Sequence, residues 1–463
     1  MKIFIFVLSS ALFFSAGLAE KNKTLELRTA TTASQKIEIS GLSGSNIKFN
    51  SWTNNEVYIK LYVSISSSDD DYEVHYINNV KISQKQIDGV LRLELEEVKS
   101  SEGWGSSFWN IFKRFYVRKD ISGDIYVPQS NALSTDMRYG SLTLDNMKGD
   151  IELLGTSNTL KLTNCTSIKE IDNNYGKTWI TNSGGALRLT GTSSTVNVRD
   201  FTGSLNIDAD YSTVTVEQVS KSVTVSDKSG KIFIDKIHGD ATLDADYSSI
   251  TINNVDGFAD IRSTSGSIAA RQVTGIQVRA NYTNVDIANV PGISGKPVLV
   301  RGQSGRLTMT DVVSDVQIEN PYSPITLTRI KGNIDMMTTS STVSADDITG
   351  DWHCRSQYST IDVRGLTAKK IEITNSSNSI RLGLNSVPAS IDIKNQYGSV
   401  TVNMPAGFSG NVDMNAEYGN ITTTLRVKVK TMSSSAYAVG KVGSGNGIIN
   451  IETKSGNISI EEQ

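Results

Sequence analysis

Histidine and cysteine are the side chains most used for acid–base, nucleophilic and metal chemistry, and this chain of 463 residues has three of the first and two of the second. His353 and Cys354 are adjacent, but neighbouring residues of a strand point to opposite faces, so they do not form a catalytic dyad. His75 and His238 are distant in the sequence, and each is expected to lie in a turn or in solvent. These residues predict no catalytic site.

Aspartates recur at one corner of a sequence repeat and form an acidic ladder, which consists of Asp136, Asp172, Asp208, Asp210, Asp244 and Asp246. Equivalent atoms two repeats apart are separated by ~9.6 Å, which is too far to share one ion. The glycine-rich pattern of Ca²⁺-binding β-rolls is absent. The ladder is therefore interpreted as a solvated acidic face, with weak Ca²⁺ binding at a single Asp-x-Asp pair as the alternative. We predict no metal site and no cofactor.

The coil position that Asp136 occupies carries residues of different charge along the chain. Later repeats carry Arg279, Glu319, Arg355 and Lys394 there, so that one side changes from acidic to mixed-basic. An extended recognition surface, head-to-tail charge complementarity between molecules, and chance remain open as explanations.

An aromatic-basic stretch interrupts the N-terminal region, and it is the candidate contact surface. Its residues are Trp104, Phe108, Trp109, Phe112, Lys113, Arg114, Phe115 and Tyr116. Four of its aromatic residues have helical spacing beside two cations, as an amphipathic helix at a membrane surface requires. One interpretation is a peripheral contact with a membrane or a partner, and the other is a plug over the open end of the core.

Pairs of apolar residues, such as Ile250 and Ile252, return every nine residues over some three hundred residues. Alternation with period two indicates strands, and a fixed longer period indicates stacked repeats. Two kinds of half-repeat alternate, so the full unit is eighteen residues. We therefore predict an all-β fold, a right-handed parallel β-helix of about 18 residues per coil, with an N-terminal β-rich region that caps it.

Corners of the predicted coil carry their own pattern, because tyrosine and serine alternate there every eighteen residues, as at Tyr211 and Ser229. Turns this short and uniform predict no groove of the kind that a catalytic site needs.

Cys165 and Cys354 fall in inward positions about ten coils apart, roughly 50 Å at ~4.8 Å per coil, which excludes a disulfide. We expect two separate buried thiols.

The chain is predicted to divide into three segments. Residues 1–19 resemble a signal peptide, with Lys2 before an apolar run and small residues at the cleavage site. Residues 20–130 form the β-rich cap, with the aromatic-basic insertion at 103–118, and residues 131–463 form the solenoid, interrupted at 425–447. The mature chain has no transmembrane segment, so it is expected to be exported to the periplasm, the outer surface or the medium.

These features resemble the bacterial adhesin families of β-strand repeats, exported domains of unknown function that are similar to the head domains of auto-transporter adhesins. The resemblance rests on the strand at 125–128, which ends in a proline, on repeat units such as 138–142 and 396–400, and on the segment 442–458 near the C-terminus. It implies a β-helix at the cell envelope, without established catalytic residues to carry over. The Trp/Phe-rich insertion departs from the family pattern.

The function expected from the sequence is therefore that of a non-enzymatic adhesin or structural protein, which presents repetitive ladders to glycan or to a cell-surface protein. The net charge of −3 argues against nucleic acid as a partner. One alternative is an enzyme acting on polysaccharide, for which paired carboxylates in a groove are required. The other is a periplasmic assembly or signalling partner that docks through Trp104–Tyr116.

Overall fold

The computed structural model describes residues 21–98 and 117–463. The chain divides into two compact units, residues 1–227 and 228–463, which are called here the first and the second unit. One helix is present among the described residues, and their other regular elements are strands. Each unit is a β-solenoid with about 18 residues per coil, so the predicted fold class is confirmed.

The described part of the first unit contains α1 (Asp70–Asn79) and strands β1 (Lys21–Ala30), β2 (Ile37–Ser40), β3 (Ser45–Trp52), β4 (Glu56–Ser67), β5 (Lys81–Ile87), β6 (Val90–Glu96), β7 (Val117–Pro128), β8 (Leu133–Arg138), β9 (Ser141–Asp145), β10 (Ile151–Thr156), β11 (Thr159–Thr163), β12 (Ile168–Asn174), β13 (Lys177–Thr190), β14 (Thr195–Asp208), β15 (Thr213–Val219) and β16 (Val223–Lys228).

Parallel pairing in the first unit joins residues one coil apart. Leu142 of β9 pairs with Leu160 of β11, and Leu160 pairs with Thr178 of β13. The long strands β13 and β14 continue this ladder and also enter the second one, formed by β8, β10, β12 and β16. Alternate residues are buried, as at Leu160 and Leu162, because side chains along a strand point in turn to the core and to solvent.

The N-terminal strands join this stack and then end it. β3 lies between β9 and β7, and β2 lies between β8 and β6, in all cases parallel. Although residues 20–130 lack the nine-residue period, β2 and β3 are thus in register with the coils. Antiparallel β4 and β1 follow β7, and antiparallel β5 follows β6. β5 leaves Lys81 and Lys85 exposed, which discourages edge-to-edge association.

Helix α1 was not expected from the sequence. Asp69 caps it, since its carboxylate accepts hydrogen bonds from the backbone N–H groups of Asp71 and Tyr72 at 3.0 and 3.1 Å. The buried side chains of Tyr72 and Tyr76 are one turn apart, on the side that packs on β1 and β4. Burial, together with the Glu97 carboxylate, raises the pKa of Tyr76 above its ordinary range.

The second unit contains β17 (Lys231–Ile237), β18 (Ala241–Asp246), β19 (Ser249–Val290), β20 (Val298–Arg301), β21 (Leu307–Val312), β22 (Val316–Glu319), β23 (Ile325–Lys331), β24 (Ile334–Met337), β25 (Thr342–Thr349), β26 (Trp352–Arg355), β27 (Thr360–Thr367), β28 (Lys370–Ser377), β29 (Ile380–Leu384), β30 (Ser390–Tyr397), β31 (Val400–Met404), β32 (Gly410–Tyr418), β33 (Ile421–Thr423), β34 (Val429–Thr431), β35 (Ala436–Val442), β36 (Gly447–Ser455) and β37 (Ile458–Glu462).

Register in the second unit shows the same period, as in the series Ile325, Val343 and Ile361. Some coils are longer: Val285 pairs with Leu307 around the excursion at 291–297, and Ile371 pairs with Ile391. Glycines mark close backbone approach at a corner: a Cβ atom on Gly350 would clash with the Gly332 carbonyl oxygen, and φ there is 147°.

The C-terminal coil does not stack in sequence order, contrary to expectation. β36 lies between β30 and β32, and β37 lies between β31 and β33. The Asn450 side-chain amide donates to the Asp392 carboxylate at 3.1 Å across a separation of 58 residues. Strands β35 and β34, which come from the interruption predicted at 425–447, extend the sheet from β32 as antiparallel strands. The chain therefore leaves a gap of one coil and fills it with its own C-terminus.

Two positions of most coils adopt φ near +55°, the left-handed region. The first is the predicted tyrosine and serine corner, at Tyr139, Ser157, Tyr175, Ser193 and Tyr211 in the first unit and at Ser229, Tyr247, Ser265 and Tyr282 in the second. The other, not foreseen, comprises Asn146, Asn164, Asn182, Asp200, Gln218, Lys236, Asn254, Gln272, Asn289, Asp311, Arg329 and Asp347.

Hydrogen bonding explains the left-handed corners. The backbone N–H of Tyr139 donates to the Thr156 carbonyl at 2.9 Å, and that of Tyr175 to the Thr192 carbonyl at 2.8 Å. Where the residue after the corner has a side chain, it turns inward, as buried Ser194 does; the Ser194 hydroxyl donates to the Asn173 carbonyl at 2.9 Å. The corner thus keeps the ladder between coils continuous and satisfies buried backbone groups.

The interleaved coil predicts which cysteine pairs can form a disulfide. Asp392 and Asp413 both pair with Asn450, from opposite sides. The double variant Asp392→Cys/Asn450→Cys should form a disulfide on mild oxidation, because directly paired residues lie within the Cα separation of about 4.4–6.8 Å that the bond requires. Non-reducing electrophoresis of a protease digest would detect it.

Asp392→Cys/Asp413→Cys is the matched control, and it should not crosslink, since two strand spacings amount to ~9.6 Å. Stacking in sequence order would reverse the two results.

Candidate functional site: a tyrosine edge and an arginine-lined groove

The acidic ladder of the first unit is not continuous. Leu154 pairs with both Asp136 and Asp172, and Thr190 pairs with Asp172 on one side and Asp208 on the other. An uncharged residue therefore separates successive aspartates. Within residues 21–98 and 117–463, no three His, Cys, Asp or Glu side chains are grouped so that they could hold a metal ion.

At the same position of the coil, the second unit carries three arginines in consecutive coils. Asp244 pairs with Arg262, and Arg301 pairs with Arg279 on one side and Glu319 on the other. The sequence-based description missed Arg262 and Arg301 because it followed only the coils that end in tyrosine. The signal was present, since each of these arginines lies three residues before a corner serine, Ser265 or Ser304.

These arginines line a shallow groove of about 640 Å³. Its floor consists of small residues, Ser263, Ala280 and Gly302, and Asn281 and Gln303 border it before the corner. The second unit thus carries a shallow groove on its strands, although its turns are short.

Charge pairing in the groove is incomplete. Arg279 contacts the Asp260 carboxylate through Nη1 at 3.1 Å, and Arg301 contacts the Glu319 carboxylate through Nε at 3.1 Å. Arg262 is exposed, and among the described residues no carboxylate lies within salt-bridge distance of it. Like charges on directly paired residues destabilise a sheet, by about 1 kcal/mol at 4 Å in water. The groove thus has guanidinium N–H groups that the protein itself does not use.

A second feature, found in each unit by itself, is a row of tyrosines at the corner; these tyrosines are called here the tyrosine edge. It consists of Tyr139, Tyr175 and Tyr211 in the first unit and of Tyr247, Tyr282, Tyr322, Tyr358, Tyr397 and Tyr418 in the second, with side chains 52–70% exposed. Among the described residues, these side chains take part in no hydrogen bond, ring pair or cation–π contact. The first five also have positive φ.

Positive φ is unfavourable for tyrosine. The left-handed conformation costs an L-residue roughly 1–2 kcal/mol, whereas glycine and asparagine adopt it readily. A bulky residue held in such a conformation, with a largely exposed side chain and no hydrogen bond or ring contact, is a candidate for a role outside the fold. The tyrosine edge is therefore a candidate binding surface.

The histidines lie apart from both features. His238 Nδ1 lies 2.6 Å from the Asp256 carboxylate at an exposed corner, and His353 Nδ1 lies 3.1 Å from the Asp335 carboxylate on an outward position. His75 is exposed on α1 beside Asn79. Their placement agrees with the surface and turn roles that the sequence predicts.

Both cysteines are free and buried, as expected. Burial raises the pKa of the Cys165 thiol to about 11 and that of the Cys354 thiol to about 12. Because folding raises these pKa values, the neutral thiols stabilise the fold fully below the ordinary thiol pKa, and that contribution is lost as the pH rises through the folded values. Both thiols behave as small apolar side chains.

The candidate contact surface Trp104–Tyr116 and the signal at 1–19 lie outside the described residues. Where the chain is described, no helix has the length and apolar character that crossing a bilayer requires.

Comparison with known proteins supports a β-repeat family of unknown function. Residues 287–461 match the family model described as Toastrack DUF4097, which is less than half of the chain. A crystal structure described as a putative cell adhesion protein from Clostridium sporogenes ATCC 15579 is 9% identical, and the match covers 95% of this chain and 100% of that one. Its TM-score of 0.14 is too low to support an argument. No curated protein matches the chain.

Strain at the tyrosine edge predicts an unusual gain in stability. Tyr211→Asn should raise the free energy of unfolding by about 0.5–1 kcal/mol, because asparagine tolerates the left-handed region. Tyr358→Asn is the matched control: Tyr358 is equally exposed, but it is not among the residues with positive φ, so no gain is expected. Urea denaturation would measure both, and equal effects of the two substitutions would contradict the strain argument.

Raised thiol pKa values predict slow labelling of the native protein. At pH 8 the thiolate fraction of Cys165 should be about a hundredfold below that of an ordinary thiol, so a disulfide reagent should modify neither cysteine until the protein unfolds. Ser344→Cys places a thiol on an exposed position of β25 and should react within minutes. Absorbance of the released thiol would follow both reactions. Fast labelling of the unsubstituted protein would refute the burial of these groups.

Proposed function

We propose that the protein is an exported, non-catalytic binding protein of the cell envelope, whose tyrosine edge adheres to glycans. The observation that carries this proposal is that the five tyrosines with positive φ are strained and exposed, and that their side chains make no hydrogen bond, ring pair or cation–π contact among the described residues. The left-handed conformation is unfavourable for tyrosine, and no polar or ring contact within the described protein offsets that cost. Contact with a molecule other than this chain would account for the ring.

Spacing of the tyrosines favours a repetitive ligand. They occur at every second coil, so neighbouring rings of one unit are ~9.6 Å apart at ~4.8 Å per strand. Aromatic rings pair at centroid distances of about 4.5–7 Å, so these rings are too far apart to stack on one another. Each ring therefore offers its faces to solvent. A row of separate aromatic faces at a constant spacing fits a sugar polymer, whose rings repeat along its length, better than it fits a single small ligand.

Surroundings of the tyrosines support a hydrated polymer as the ligand. Serines occupy the intervening corners, and Thr, Asn and Asp dominate the outward positions of the adjacent strands. Hydroxyl, amide and carboxylate groups on a rigid sheet provide the hydrogen bonds that a sugar polymer exchanges with water. Adhesion by such a surface would be weak per site and would depend on many sites acting together. Export rests on the signal expected at residues 1–19.

Loss of the rings without loss of the fold tests the proposal. The variant with Asn at Tyr139, Tyr175, Tyr211, Tyr247 and Tyr282 should be at least as stable as the unsubstituted protein, yet should bind glycans at least about tenfold more weakly, since aromatic contacts contribute about 1 kcal/mol each. A glycan array followed by titration of the best ligands would measure binding.

Asparagine at the corner serines Ser157, Ser193, Ser229 and Ser265 provides the control, because these residues share the backbone conformation but carry no ring. Unchanged binding is expected for this control. Equal binding by the tyrosine variant and the unsubstituted protein would remove the basis of the proposal.

A further inference from the structure

The arginine-lined groove of the second unit has a chemistry that the tyrosine edge lacks. Arg262, Arg279 and Arg301 occupy the same position of three consecutive coils and line one groove. Three guanidinium groups one strand spacing apart, ~4.8 Å, repel one another. Arg279 and Arg301 offset this repulsion with an ion pair each, but Arg262 has none among the described residues, so the fold alone does not account for Arg262.

Each guanidinium group retains unused donors. Arginine has five N–H groups in a planar fork that matches a carboxylate or a sulfate. Arg279 uses Nη1 for Asp260, Arg301 uses Nε for Glu319, and Arg262 uses none within the described residues. The small floor residues Ala280 and Gly302 leave room for a ligand beside these groups.

Acidic residues limit the length of the site. Asp244 and Asp246 line the groove on one side of the arginines, and Glu319 lines it on the other side. These carboxylates would repel a polymer that carries a charge on every unit along the whole sheet. Between them, the basic part spans three coils, roughly 10 Å between the first and last arginine. A short segment with one or two anionic groups fits this length.

The groove also adjoins the tyrosine edge. Asn281 lines the groove and directly precedes Tyr282, whose side chain is 62% exposed with φ of 51°. A ligand held by the arginines therefore lies beside an aromatic ring at the corner. This combination of a cationic fork, amide groups and an aromatic rim is suited to a sugar ring that carries an acidic substituent.

We propose that the groove lined by Arg262, Arg279 and Arg301 binds an anionic sugar residue, a uronate or a sulfated sugar, within a glycan. The proposal rests on the proposed glycan-binding function and specifies its ligand class in the second unit. The guanidinium groups hold the carboxylate or sulfate, and the ring lies against the tyrosine rim. Binding involves no covalent step.

Arg262→Gln is the decisive variant, because Arg262 has no partner in the described protein whose loss would disturb the fold. Tetragalacturonic acid, its methyl ester and a sulfated tetrasaccharide are the probes, titrated by calorimetry in low salt and in higher salt. The unsubstituted protein should bind at least one acidic probe at least tenfold more tightly than the uncharged ester, and salt should weaken that binding. Arg262→Gln should lose most of this preference and leave binding of the ester unchanged.

Arg381→Gln is the matched control, since Arg381 is exposed on β29 of the same unit and does not line the groove. It should bind all probes as the unsubstituted protein does. The two acidic probes distinguish a uronate site from a sulfate site, and either preference supports the inference.

Equal affinity for charged and uncharged probes would overturn the anionic site but not the proposed function. An equal loss in Arg262→Gln and Arg381→Gln would also overturn it, because the effect would then be one of overall charge. Absence of binding to every probe and to every glycan of the array would overturn both proposals.

Discussion

Continuity of the backbone hydrogen bonds from one coil to the next is the constraint on which this structure depends. Strands supply most of these bonds, but a ladder that stopped at each corner would leave buried N–H and C=O groups unpaired. Left-handed residues solve this problem, as when the Ser193 N–H reaches the Asp210 carbonyl at 2.8 Å. The next residue, Ser194, is thereby directed inward to bond to backbone of the neighbouring coil. The left-handed corner and the polar residue buried beside it therefore serve the same need, which is to pair the backbone groups of neighbouring coils.

This division of labour leaves the outward residues free to vary. Inward positions hold the coils together through apolar contact, and corners hold the ladder, so that outward side chains contribute little to the fold. One position of the coil can then carry Asp136 in the first unit and Arg279 in the second without a change in backbone. Function in such a scaffold is expected where outward residues act against stability, and the tyrosine edge and the arginine-lined groove are such places.

The sequence predicts the repeating part of the fold well, because period and alternation are set by the strands themselves. Ile250 and Ile252 are both inward because side chains alternate along a strand, and their equivalents recur after eighteen residues because each coil has about that length. Insertion of the C-terminal coil between β30 and β32 was not predictable, since a repeat states which residues are equivalent but not the order of stacking. The cap at Asp69 offered a signal for α1 that the surrounding strands obscured. Of the site, the sequence revealed the tyrosines, whereas Arg262 and Arg301 became a cluster only when alternate coils were placed side by side.

The residues found at the two left-handed positions distinguish what the backbone conformation favours from what a ligand would favour. Both impose φ near +55°, yet one is filled mainly by Asn, Asp and Gln, and the other by Tyr and Ser. Asparagine is what the backbone prefers there, so the backbone did not select tyrosine. Moreover, Tyr322, Tyr358, Tyr397 and Tyr418 keep the aromatic ring although they are not among the residues with positive φ. The ring is retained while the conformation changes, and the conformation is retained elsewhere without the ring. Backbone conformation therefore does not explain the tyrosines, and this is the physical basis for proposing that this edge binds a ligand.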